Sequence, residues 1–61
     1  MDVLIADDHP LVRDALATVV RQLDAEARVD QVGDFPTLLD HLGCAVPDLL
    51  LIDLNMPGMR G

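Results

Sequence analysis

Two short apolar runs of the 61-residue chain end in carboxylates: Val3-Leu4-Ile5-Ala6 leads into Asp7-Asp8, and Leu49-Leu50-Leu51-Ile52 leads into Asp53. Four consecutive branched aliphatics, bounded by Pro47 and by Pro57-Gly58, read as a strand buried on both faces, because a half-buried strand would alternate with polar residues. Asp53 then stands at the carboxyl end of a central parallel strand, the edge at which open α/β sheets bind ligands. If Asp7, Asp8 and Asp53 converge, they repel one another and raise each other's pKa unless a cation joins them. Magnesium suits such a set, since it takes hard oxygen ligands, typically one or two carboxylates with phosphate oxygens, and keeps several waters. The turn at Asn55 can add a backbone carbonyl. Taken alone, Asp7-Asp8 also reads as an N-cap pair before a helix, and it is Asp53 at the end of an apolar strand that favours a site.

The elements that must position these residues follow from spacing. Pro10 suits the first turn of a helix, where its missing N–H costs nothing. Val12, Ala15, Leu16, Val19, Val20 and Leu23 recur at intervals of three and four, an apolar stripe that leaves Arg13, Asp14, Arg21 and Gln22 largely outside it. Asp24 to Arg28 reads as a return loop, and Val29-Asp30-Gln31-Val32-Gly33 alternates as a strand exposed on one side. Asp34 is placed to cap a second helix, with Pro36 in its first turn, Leu38, Leu39 and Leu42 as its buried stripe, Asp40 and His41 on its outer side and Gly43 at its carboxyl end. The order strand, helix, strand, helix, strand with short loops is that of consecutive parallel βαβ units. With right-handed crossovers, placing the second and third strands on opposite sides of the first sends the helices to opposite faces. The switch point then lies between the first and third strands, and brings Asp7, Asp8 and Asp53 to one crevice although more than forty residues separate them in sequence.

Composition sets bounds on partners. Four basic and eleven acidic residues give a net charge of −7, which disfavours direct binding of nucleic acid or an anionic membrane and favours a cation or a basic partner. The 51% hydrophobic content argues for a core, built from aliphatics because Phe35 is the single aromatic residue. Cys44 is alone and reads as a small loop or core residue, and with no secretory signal at its start the chain is expected to be cytoplasmic.

The stretches Leu4-Ile5-Ala6-Asp7-Asp8-His9-Pro10 and Leu51-Ile52-Asp53-Leu54-Asn55-Met56-Pro57-Gly58-Met59-Arg60-Gly61, at this separation, resemble the receiver domains of bacterial two-component response regulators. Asp8-His9-Pro10-Leu11-Val12-Arg13 looks most like the receivers that precede a helix-turn-helix DNA-binding domain. The resemblance covers the whole chain but only the first half of that domain, and Arg60 stands where the family often has an acidic residue. It implies an α/β, flavodoxin-like (CheY-like) doubly wound parallel sheet of order 2-1-3-4-5, of which residues 1–61 supply the first βαβαβ portion and stop before the fourth strand. It implies that Asp53 is the phosphoacceptor for a sensor histidine kinase, that Asp8 ligates Mg2+ directly and Asp7 through water, and that Asp53 and the Asn55 carbonyl complete the set. The module is then a regulatory phosphoacceptor and not an enzyme in its own right, and it would reach DNA only through an output domain outside this chain. The family's Ser or Thr after the fourth strand and Lys after the fifth have no counterpart here, so these 61 residues alone are expected to phosphorylate poorly and not to switch.

Two other functions fit the residues less well. A phosphatase that forms an aspartyl phosphate would carry its nucleophile after the first strand with a second Asp two residues on, whereas Asp53 follows the third strand and Asn55 stands at that place. A non-catalytic pairing module would leave the acidic cluster solvated, without a discrete cation site. Dinucleotide binding lacks its Gly-rich turn. His9 borders the crevice, but between the acidic pair and a helix-opening proline it reads as a solvent-facing turn residue in preference to a ligand or relay. Met56 and Met59 read as turn and packing residues, with Met56-Pro57 directing the chain away from Asp53. Finally, a chain ending after the third strand exposes one edge of its most hydrophobic strand, which predicts a homodimer or higher assembly unless further chain covers that edge.

Overall fold

The computed structural model describes residues 1–54 and 56. Its elements run β1 (Asp2–Ala6), α1 (Pro10–Leu23), β2 (Arg28–Val32), α2 (Phe35–Cys44) and β3 (Leu49–Ile52). The three strands form one parallel sheet in the order β2-β1-β3. This is the α/β arrangement expected of the first portion of a doubly wound sheet, and the helices do lie on opposite faces. Successive side chains of a strand point to opposite sides. Val3 and Ile5 accordingly pack with Ala17 and Val20 of α1, while Leu4 and Ala6 pack with Val32, with Leu38 of α2 and with Met56.

β1 is the centre of this molecule. Flanked by a strand on each side and a helix on each face, Val3, Leu4, Ile5 and Ala6 are all at most 1% exposed. Burying one large aliphatic side chain to that degree contributes about 1.5–3 kcal/mol. β3, expected to be buried on both faces, is the outer strand of the described sheet: Leu50 and Leu51 are partly buried, and Leu49 and Ile52 remain 39% and 37% exposed. Among the described residues β3 has one neighbouring strand, and neither helix extends fully over it. Among the described residues the outer edge of β3 is unpaired, and Leu51 itself packs on the α1 side with the cluster of Val3, Ile5, Ala17 and Val20. A lysine at Leu51 would strike that cluster as well as the edge.

Four local expectations shift. The sheet-facing side of α1 is Leu16, Ala17 and Val20 together with Arg13, and Val12, Val19 and Leu23 point outward at 44%, 50% and 83% exposure. α1 carries apolar residues around more than half its circumference, so periodicity alone is compatible with either face. On α2 the stripe is Phe35, Leu38 and Leu42, at i, i+3 and i+7; Leu39, one residue round the helix from Leu38, is 52% exposed. Gly43 lies inside α2 and Ala45 caps it, its N–H donating to the His41 carbonyl at 3.0 Å. β2 begins at Arg28, which had been placed in the return loop, because its N–H pairs with the Met1 carbonyl at 2.9 Å.

Candidate functional site

Register places the two carboxylate loops side by side. Ala6 pairs with Val32 on one side and Ile52 on the other. The ladder runs one residue past the strands: Asp7 N–H donates to the Val32 carbonyl at 3.1 Å, and Asp53 N–H donates to the Ala6 carbonyl at 2.8 Å. Asp7 and Asp53 thus occupy the next rung at the carboxyl edge, on strands spaced about 4.8 Å apart. They line an open cleft of about 300 Å3 together with Ala6, Leu16, Leu51 and Ile52. The convergence read from topology is therefore present. Asn55 lies outside the described residues, so the expected carbonyl ligand is not part of this geometry.

The β1–α1 loop is shaped by Asp7. Its Oδ1 accepts from the His9 backbone N–H at 2.9 Å and lies 2.7 Å from His9 Nδ1. That contact draws the imidazole into the cluster, where Nδ1 also lies 2.9 Å from Asp8 Oδ1 and 3.7 Å from Asp53 Oδ2. His9 is solvent-facing as foreseen, with 63% of its side chain exposed, but one ring nitrogen is turned onto three carboxylates. His9 is also the N-cap of α1 and makes no side-chain cap bond, so Asp7-Asp8 is not an N-cap pair. Like-charge repulsion is not what governs Asp7: the His9 backbone N–H first, and its ring second, hold the Asp7 carboxyl below the ordinary range. Reciprocally, Asp7 first and Asp8 second raise the His9 pKa above its usual 6.5.

Arg13, expected largely outside the buried face, supports this loop from behind. Its Nη1 donates to the Asp7 carbonyl at 3.2 Å, and its Nε is buried without a partner among the described residues. The guanidinium occupies the space a side chain on Gly33 would need, since a Cβ there would stand 2.5 Å from Nη1. Gly33 follows Val32, so one arginine spans the ends of β1 and β2. Sequence spacing shows neither Arg13 nor the inward turn of His9, although a short Asp-x-His step before a helix-opening proline is the kind of local motif in which an Asp accepts from the backbone two residues on.

Asp7, Asp8, His9 and Asp53 offer ligand atoms that all lie within 4.8 Å of one another. Adjacent ligands on an octahedron of Mg2+ dimensions stand about 3 Å apart and opposite ones about 4.2 Å. The donor set, three carboxylates and an imidazole, has the charge and ligand types to hold a divalent cation.

Residues 3–61 match the family model of the response regulator receiver domain. The chain belongs to that family. It is 43% identical over its whole length to the positive alginate biosynthesis regulatory protein of Pseudomonas aeruginosa, of which it covers 25%. It is 43% identical over 97% of its length to the glycerol metabolism activator of Pseudomonas putida, and 40% identical over 97% to a probable transcriptional regulatory protein NarL of Mycobacterium tuberculosis, covering 27% of each. The chain spans about a quarter of the length of the curated relatives it matches. No solved structure matches it significantly. No described helix of this receiver sequence is long and apolar enough to cross a membrane.

Proposed function

We propose that this receiver sequence is the phosphoacceptor part of a two-component response regulator, with Asp53 as the residue phosphorylated. The reading is carried by one observation: in a receiver-family chain, Asp53 stands at the carboxyl edge of the sheet, on the same rung as Asp7, with ligand atoms of Asp7, Asp8 and Asp53 within 4.8 Å. An Asp53 oxygen attacks the phosphorus of a phosphohistidine on a sensor kinase; the O–P bond forms as the N–P bond breaks, and the released imidazole takes up a proton. Asp7, Asp8 and Asp53, with the Asn55 carbonyl, are the residues that would hold Mg2+, which supplies positioning and neutralises charge on the phosphoryl oxygens. The open cleft beside Asp53 gives the donor access along the sheet edge.

Such a module regulates and does not turn over a separate substrate. Its relatives named as transcriptional regulator and activator favour an output domain that binds DNA, beyond residues 1–61 and of the helix-turn-helix kind, in a cytoplasmic protein. The open β3 edge is then covered by further strand, from the same chain or a second copy. The test is labelling of the intact protein by a phosphoramidate donor with Mg2+. Wild type should gain one phosphoryl group on the peptide containing Asp53 and Asp53→Asn none; labelling elsewhere, or equal labelling of the variant, contradicts the assignment.

A further inference from the structure

The cluster at the carboxyl edge is not a purely acidic one, and His9 is the part that the proposed phosphoacceptor role leaves unused. Its Nδ1 lies 2.7 Å from Asp7 Oδ1, 2.9 Å from Asp8 Oδ1 and 3.7 Å from Asp53 Oδ2. The two shorter separations are hydrogen-bond distances, at which Nδ1–H donates to the carboxylates, and the third falls within the roughly 3 to 4.2 Å spacings of ligands around one six-coordinate ion; a cation at the site would take the place of that proton. The ring is not a freely swinging side chain, because the His9 backbone N–H is itself fixed on Asp7 Oδ1 at 2.9 Å. Pro10 follows as the first residue of α1 and restricts the backbone of His9.

We propose that His9 is a specificity-determining ligand of the cation site, supplying through Nδ1 the single nitrogen donor among its described residues and shifting its preference from Mg2+ toward imidazole-favouring first-row transition ions such as Co2+. The inference rests on the cation site of the proposed function and concerns what that site selects. Carboxylate and water suit Mg2+, and Mn2+ shares that taste, whereas imidazole nitrogen is favoured increasingly along the series from Mn2+ to Co2+ and beyond. A site of three carboxylates alone ranks these ions mainly by charge and size. Adding the imidazole gives Co2+ a bond that Mg2+ gains little from.

The experiment uses Mn2+ as a spectroscopic probe and Co2+ against Mg2+ as the affinity pair, on the intact protein at one fixed pH of about 8, where imidazole nitrogen is available to a metal. Pulsed electron paramagnetic resonance of bound Mn2+ should show coupling to an imidazole nitrogen in wild type, absent in His9→Ala. Calorimetry should show that His9→Ala loses on the order of tenfold in Co2+ affinity while Mg2+ affinity moves by less than about threefold. Mn2+ bound without nitrogen coupling, or equal losses for both ions, overturns the role of His9 while leaving the site standing. Mn2+ binding that survives unchanged in Asp8→Ala and Asp53→Asn overturns the site itself, and the inference with it.

Discussion

β1 and β3 are near twins in sequence and opposites in structure. Each is a four-residue aliphatic run that ends in aspartate, yet Val3 to Ala6 are at most 1% exposed while Leu49 and Ile52 are 39% and 37% exposed. If anything, Leu-Leu-Leu-Ile is the more hydrophobic of the two. The difference teaches that an apolar run states how much burial a strand can use, and that its neighbours decide how much it receives. β1 has strands on both sides and α1 and α2 on its two faces, and among the described residues β3 has one strand beside it.

The sharpest way to break that comparison is to truncate both strands alike. Ile5→Ala should cost about 2–5 kcal/mol, as for a fully buried aliphatic, and Leu50→Ala clearly less, read from denaturant unfolding of the intact protein. Equal losses would mean that β3 is as enclosed as β1 in the intact protein, which would locate the missing cover on its open edge. At the ends of the two strands the comparison should vanish. Asp8→Ala and Asp53→Asn should each weaken Mg2+ binding by on the order of tenfold or more, measured by calorimetry, because under the proposed function both loops would hold the same ion.

Much of this was legible in the sequence because it depends on local chemistry. Asp34 reads as a cap, and its Oδ1 accepts from the Thr37 N–H at 2.8 Å; Thr37, through its side chain first and this N–H second, lowers the Asp34 pKa. The apolar runs and their terminal carboxylates were enough to infer parallel strands, opposite helices and a shared crevice. What stayed hidden was choice among equivalents. Leu11, Val12, Ala15, Leu16, Ala17, Val19, Val20 and Leu23 give α1 two usable apolar faces, and only the position of Val3 and Ile5 beneath it selects Leu16, Ala17 and Val20. The inward turn of His9 depends on a bond to Asp7 two residues away, and Arg13 reaches across to Gly33, a neighbour made by folding.

The β1 loop offers finer tests that the β3 loop does not share. His9 is raised by Asp7 and Asp8, so its NMR titration midpoint should lie above 6.5 without metal, and Asp7→Asn should bring it down. The sign for stability follows: the His9 contribution is fully present below the unfolded pKa and is lost as pH rises through the higher folded one. The Asp7 contribution runs the other way, present above the unfolded carboxylate pKa and lost as pH falls through the lowered folded value. Metal-free wild type should therefore lose stability as pH rises from about 6.5 through the His9 midpoint and level off beyond it, with a weaker dependence over that range in His9→Ala. The smallest effect is expected at Gly33→Ala, where the added Cβ would displace only the flexible end of Arg13. A loss of under about 1 kcal/mol should accompany release of the Asp7 carbonyl, visible as a shift of the Asp7 amide region in NMR spectra.

The central claim is that two loops from the ends of β1 and β3 make one phosphoacceptor site. The most direct measurement is the mass of the intact protein and of its Asp53 peptide after incubation with a phosphoramidate donor, with Mg2+ and with chelator. One phosphoryl group on Asp53, dependent on Mg2+ and lost in Asp8→Ala, is the predicted result. Labelling of Asp53 that is indifferent to both Mg2+ and Asp8 would contradict a shared site.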